Sequence, residues 1–416
     1  MKPTSLAFLL AAFAPLCLCA AEITFTPFEH PQGNSENRTG MWLRPNLGKP
    51  EEVLPLKTRL WATKESVTGG VALKCVFEKG ATGLLTFEKE TYPPSAGLTF
   101  YAKASKPLKL LINKTVTVEA GTEWKKIDVP WEKLNTTREK PTVPWQFFLK
   151  VISPLDERTT LLIDRLGVES PEFDPNPKLD PQSGLDATFS SKDMLYGAEN
   201  LAKTLEKLKA KQPFKVIAFG DSITAGAQMT RGSWDIKPAD GVQFLYFSHF
   251  ARLLEQKFGY TGIKPMQFGH GGWTSEAAMK VVDAEVIANC EAGDLVILEF
   301  GGNDMGWNKA SPEEWKKRMK TLIARVKTKT DQILLYGPGG GSDIFKLQKE
   351  TTQVLQELVA EEKLAAADLN KLFLYRGEPY AWALLANEYH PDFMGHITIG
   401  EMLAPILTGE HKNYPE

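Results

Sequence analysis

Through residues 22–170 apolar positions recur in short runs broken by Gly, Pro, Asn and Asp: 71–77, 98–102, 108–112, 147–151 and 160–163. Runs of this length, punctuated in this way, predict an all-β sandwich. A breaker-rich stretch follows, PEFDPNPKLDPQSGLDATFSS at 171–191, and its prolines and polar residues predict a semi-stiff linker. From 192 to 412 the period changes. Amphipathic helices are predicted over 193–211, 243–258, 275–290, 312–326, 345–362 and after Pro391. They alternate with apolar strands at 215–219, near Met266, and at 295–300, 332–336 and 364–369. That alternation predicts an α/β domain whose parallel sheet is covered on both faces, with ligands at the carboxyl ends of its strands.

The N-terminus departs from both patterns. Lys2 precedes an apolar stretch from Leu6 to Cys19, and the small residues Ala20 and Ala21 follow. This is the layout of a signal peptide, 1–21, and predicts an exported protein, periplasmic or extracellular, without membrane insertion. Among the 416 residues, 49 Lys and Arg nearly balance 51 Asp and Glu, which argues against a nucleic-acid partner. Four cysteines reduce to Cys75 and Cys290 once the leader is removed. Both lie in apolar segments and are expected to be buried free thiols rather than a disulfide framework. No Cys/His cluster with metal-ligand spacing is present, so no metal or cofactor is expected.

The candidate chemistry lies in four blocks of the second region. FGDSITAG (219–226) follows the first strand and GHGGWT (269–274) the second. GGND (301–304) follows the third, and NEYHP (387–391) precedes the last helix. An isolated Gly-Asp-Ser is commonly no more than a turn or a helix cap. Four blocks converging on one edge of one sheet are a stronger signal, because a serine needs an imidazole to take its proton and donors to hold the developing oxyanion.

Taken together and in this order, the blocks resemble the SGNH (GDSL-type) hydrolase family over essentially the whole second region. The resemblance implies a three-layer α/β/α, flavodoxin-like domain. It implies Ser222 as nucleophile, His390 as general base, and an oxyanion hole of the Ser222 N–H, the Gly272 N–H and the Asn303 side-chain amide. One position departs from the family pattern: Asn387 stands where an Asp usually precedes the histidine. Either Asn387 orients the imidazole through its carbonyl oxygen, or an acid comes from elsewhere, with Glu388 the neighbouring candidate. Asp392 is a poorer one, because it begins the next helix. The first region is similar to jelly-roll carbohydrate-binding and galactose-binding-like modules, on the strength of Trp124 in EWKKIDVPW and the closing LLIDRLGVE.

Other residues carry weaker expectations. Asp221 is expected to bond loop N–H groups, with a direct role as the lesser alternative. Arg231, Trp234, His270 and Trp273 are candidate substrate contacts, and His396 is expected to pack the last helix. Trp42, Trp61, Trp124, Trp131 and Trp145 could stack on sugars but are more simply core. The resulting expectation is an exported serine esterase that removes O-acetyl groups from a glycan. The rivals are a lipase or thioesterase of the same fold, a non-catalytic glycan-binding protein, and an acyltransferase.

Overall fold

The computed structural model describes residues 21–26, 40–43, 57–67, 72–81, 84–89, 97–113, 115–134, 145–152, 155–170, 188–227, 229, 241–339, 342–374, 384–385 and 389–414. The predicted leader before Ala21, most of the linker, and Arg231, Trp234, Asn387 and Glu388 lie outside the described residues.

Two antiparallel sheets form the N-terminal part. One runs β3 (Thr58–Thr63), β4 (Ala72–Phe77), β11 (Thr159–Ser170), β6 (Gly97–Ala104), β9 (Lys125–Pro130), with β1 (Ala21–Thr26) also paired to β11. The other runs β2 (Gly40–Leu43), β5 (Leu84–Lys89), β10 (Trp145–Val151), β7 (Leu108–Ile112), β8 (Val116–Ala120). Period-2 patterning explains which face goes inward. In β7, Leu108, Leu110 and Ile112 are buried while Lys109 is exposed. These residues and Leu73, Cys75 and Phe77 from the facing sheet belong to one apolar cluster.

The C-terminal part is built on a six-stranded sheet in the order β13 (Leu195–Tyr196), β18 (Ala365–Ala367), β17 (Ile333–Tyr336), β16 (Leu295–Glu299), β14 (Phe214–Gly220), β15 (Ile263–Gly269). All neighbours are parallel except β13, which runs antiparallel to β18, so the sheet is mixed rather than wholly parallel. Every residue of β16 and β17 is buried, as expected for strands covered on both faces. On one face lie Val216, Ala218 and Ile297, packed with the helices Tyr246–Phe258 and Phe393–Leu403. On the other lie Ile217, Phe219 and Leu298, packed with Pro312–Val326 and Gln348–Glu362.

Two predicted helices are corrected. The segment expected to be helical over 193–211 contributes the short strand β13, turns at Gly197, and is α-helical only over Ala202–Lys209. Pairing of Leu195 and Tyr196 with β18 satisfies backbone groups that a longer helix would have satisfied locally. The segment expected over 275–290 is α-helical at Ser275–Ala278 and becomes a π-helix at Asp283–Ile287. Cys75 and Cys290 are both buried free thiols.

The two parts are not loosely tethered. Arg59 on β3 makes a two-pronged ion pair with Glu401 on the last long helix, at 2.9 and 2.8 Å. Tyr414, on the C-terminal strand β19 (Asn413–Tyr414), donates its hydroxyl to the Leu60 carbonyl at 2.9 Å.

Candidate active site

Strand register sets the floor of the site. Gly269 of β15, Gly220 of β14 and Glu299 of β16 stand side by side as the last residues of their strands. Two of the three must be glycine. A Cβ on Gly269 would lie 2.2 Å from the Ala225 nitrogen, and one on Gly220 would lie 2.2 Å from Thr224 Oγ1 and 2.6 Å from Glu299 Oε2. The missing side chains let the turn Asp221–Ala225 fold down onto the strand ends.

Ser222 opens the single helical turn Ser222–Ala225, which Asp221 caps by accepting from the Ile223 N–H at 2.9 Å. His390 Nε2 lies 2.9 Å from Ser222 Oγ. Burial pushes the His390 pKa down to about 4 from its ordinary 6.5, so the imidazole is neutral and able to accept a proton near pH 7. Asp392, two residues on, is spent as a cap. Its carboxylate accepts from the Gly395 N–H at 2.7 Å to start the helix Phe393–Leu403. Burial raises the Asp392 pKa to about 7.

Asp221 is buried, and its two oxygens face protein rather than the opening. Oδ1 holds the Ile223 N–H, and Oδ2 accepts from Asn303 Nδ2 at 3.0 Å. Both oxygens thus support the serine turn. Asn303 Nδ2 also donates to the Trp273 carbonyl at 2.9 Å. One amide thus ties together the loops after β14, β15 and β16. Both of its hydrogens are engaged, so donation to an oxyanion requires that one of these bonds be shared or given up. Among the described residues, neither the Ser222 nor the Gly272 N–H donates to a protein group.

Gly272 has φ +78°, and a Cβ there would meet nothing within 4 Å. The backbone conformation, not a shortage of room, calls for glycine at this position. His270 donates its backbone N–H to the Gly220 carbonyl at 2.9 Å, stacks on Trp273 with ring centroids 3.9 Å apart, and contacts Glu285 Oε2 through Nε2 at 2.7 Å. His270, Trp273 and Glu285 line a cleft of about 380 Å³ beside the nucleophile turn. A second cleft, lined by Lys203, Lys207, Lys327 and Asp331, lies at the opposite ends of the strands. His396 is wholly buried on the last long helix and stacks with Tyr246, their centroids 6.1 Å apart. The described residues contain no group of three His, Cys, Asp or Glu placed to hold a metal.

Sequence reasoning passed over Glu299, Thr224 and Tyr246. Glu299 Oε2 accepts from Thr224 Oγ1 at 3.0 Å, and Thr224 Oγ1 lies 2.9 Å from the Tyr246 hydroxyl. The one available signal was an acidic residue ending an otherwise apolar strand, LVILE.

A serine hydroxyl beside a neutral histidine, with backbone donors nearby, at the carboxyl edge of a mostly parallel sheet defines a serine-hydrolase type of site. Residues 218–396 match the GDSL-like lipase/acylhydrolase family, and this part of the chain is a GDSL-like hydrolase domain. Solved structures similar to the chain include the lipase/acylhydrolase from Enterococcus faecalis, at 22% identity and TM-score 0.37, over 48% of this chain and 97% of that one. A two-domain esterase (CEX) active on acetylated mannans is similar at 18% identity and TM-score 0.42, over 53% and 56% of the two chains. The acetylxylan esterase Axe2 from Geobacillus stearothermophilus is similar at 19% identity and TM-score 0.38, over 47% and 94%. No curated protein matches the chain.

Proposed function

We propose that this protein is an exported serine esterase that removes O-acetyl groups from a glycan. The observation that carries the chemistry is the 2.9 Å contact between Ser222 Oγ and the neutral His390 Nε2. As the hydroxyl oxygen attacks the ester carbonyl, its proton passes to Nε2, and the Ser222 and Gly272 N–H groups receive the developing oxyanion. The imidazolium then returns the proton to the departing sugar hydroxyl. Water, deprotonated by the same nitrogen, releases acetate from the acyl-enzyme.

The surface supports a sugar over a long acyl chain. Among the described residues the exposed large apolar side chains are Ile152, Trp307 and Tyr389. Trp307 is 75% exposed just beyond the Asn303 helical turn, and Tyr389, 37% exposed, adjoins His390. Exposed aromatic faces suit a pyranose ring, whereas a lipid chain needs a continuous apolar surface.

Acetate release from a panel of acetylated glycans, run beside long-chain acyl esters, tests the reading. It predicts turnover of at least one glycan that Ser222→Ala abolishes. Hydrolysis confined to long-chain esters would replace it with a lipase. Acetyl transfer to a second sugar without free acetate would replace it with an acyltransferase.

A further inference from the structure

Directly beneath the nucleophile turn two buried carboxyl groups meet, and the mechanism above uses neither. Glu299 and Asp221 are 1% and 3% exposed. The Glu299 carboxyl occupies the space that Gly220 leaves by having no Cβ. Its two oxygens are unequal. Oε2 lies 3.0 Å from the Asp221 N–H nitrogen, 3.3 Å from the Thr224 nitrogen and 3.0 Å from Thr224 Oγ1. Oε1 is buried and takes a hydrogen from no donor among the described residues. One oxygen accepting everything and the other accepting nothing is the pattern of a carbonyl and a hydroxyl, that is, of a protonated acid. The Glu299 and Asp221 carboxyls are neighbours joined through the Asp221 N–H, and the charge on Asp221 raises the hold of Glu299 on its proton, so that two such buried acids are most stable sharing one.

We propose that Glu299 is a positioning residue for the nucleophile turn, a neutral acid that donates to Asp221 while it accepts from Thr224 and from the Asp221 N–H. In this arrangement Asp221 keeps its charge and spends it on the Ile223 N–H and the Asn303 amide. Glu299 therefore acts on the site through Asp221 and touches no reacting atom. The titratable groups facing the pair reinforce the assignment. Asp304 adds negative charge on the Asp221 side, and the hydroxyls of Tyr246 and Tyr336 lie within electrostatic reach of Glu299. Arg318 is engaged by Asp304 at 3.2 Å. Burial and the neighbouring carboxylate hold the Glu299 carboxyl well above its ordinary range. Loss of that proton at alkaline pH would place two anions under Ser222 and loosen the turn.

Three measurements on the full chain test this. In the infrared, at mildly alkaline pH, the wild type should show the carbonyl stretch of a protonated carboxyl that Glu299→Gln removes. On a small chromogenic acetyl ester, Glu299→Gln should keep kcat within about threefold, because its amide reproduces one donor and one acceptor. Its rate should persist to higher pH than that of the wild type. Glu299→Ala should lose kcat by about 100-fold with KM within about twofold. No infrared difference, or a folded Glu299→Gln as impaired as Glu299→Ala, overturns the proposal. If Glu299→Ala fails to fold, the infrared band and the Glu299→Gln pH profile still decide it. The kinetic arm rests on the esterase reading, but the infrared arm does not: a wild type inert to every ester would sink that reading and leave the protonation of Glu299 measurable.

Discussion

Ser222 and His390 stand 168 positions apart, and their contact works only while the imidazole is uncharged. With the His390 pKa at about 4, kcat/KM for an acetyl ester is expected to hold through the mildly acidic range and to fall only as pH approaches that value. An acid limb at the ordinary histidine pKa would show that the ring is well hydrated. The same burial has a stability cost at low pH. An unfolded histidine takes a proton that the folded one refuses, so stability should decline as pH falls from about 6.5 to 4. His396, pushed down to about 3, adds to that slope. Ser222→Ala should abolish turnover while changing unfolding free energy by less than about 1 kcal/mol. Residual activity within about tenfold of wild type would remove Ser222 from the chemistry. Asn303 tests differently, since its amide knits three loops. Asn303→Ala should slow turnover by about 10²–10³-fold. Asn303→Asp should be slower still, because a second carboxylate would then face Asp221. If Asn303→Asp instead equals the wild type in kcat, the tether to Asp221 is not what the site needs.

Helix ends illustrate what can be read from a sequence and what cannot. Ser311, Pro312 and Glu314 form a capping box with proline at the first helical position, and the helix Pro312–Val326 begins there. Strands β14, β16 and β17 were equally readable, because they are largely buried and apolar, and so were the three loops that begin where β14, β15 and β16 stop. Glu299 was not: as one residue at the end of an apolar run it gives no hint that Gly220, far earlier in the sequence but beside it on the neighbouring strand, would make room for its carboxyl. Nor was the π-helix at Asp283–Ile287, where Glu285 reaches His270, since helical periodicity looks the same one residue out of step. Asp392 gives an element-scale prediction. Its folded pKa, about 7, lies above its ordinary 3.8, so the stability it lends is fully present below the ordinary value and is lost as pH rises through 7. Asp392→Asn keeps a capping oxygen without that titration. Its Tm should therefore fall less than that of the wild type between mildly acidic and mildly alkaline pH. Parallel Tm curves would mean that the Asp392 carboxylate is already solvated.

At the scale of the whole molecule, the Arg59–Glu401 pair fastens the antiparallel sheets to the helix that follows His390. Burial alone would raise the Glu401 carboxyl, but the Arg59 guanidinium together with His249 outweighs it and holds the group below the usual range. The attachment is therefore expected to weaken as pH falls and Glu401 is protonated. Arg59→Ala leaves a largely buried carboxylate without its partner and should cost roughly 3 kcal/mol of unfolding free energy. A loss no larger than that of an ordinary surface pair, below about 1 kcal/mol, would show that the contact is well hydrated. Proteolysis within 171–187 should yield two pieces that elute together at neutral pH. Separate elution would mean that these contacts do not outlast the covalent link.

The two buried thiols fall one in each part of the molecule, Cys75 on a strand of the antiparallel sheets and Cys290 just before β16. Burial pushes both thiols up, Cys290 to about 11, so neither reacts with an alkylating reagent until its surroundings open. Cys75 and Cys290 thus serve as a pair of chemical clocks, one in each part. Timed alkylation followed by peptide mass analysis would record when each half breathes, and whether the halves breathe together.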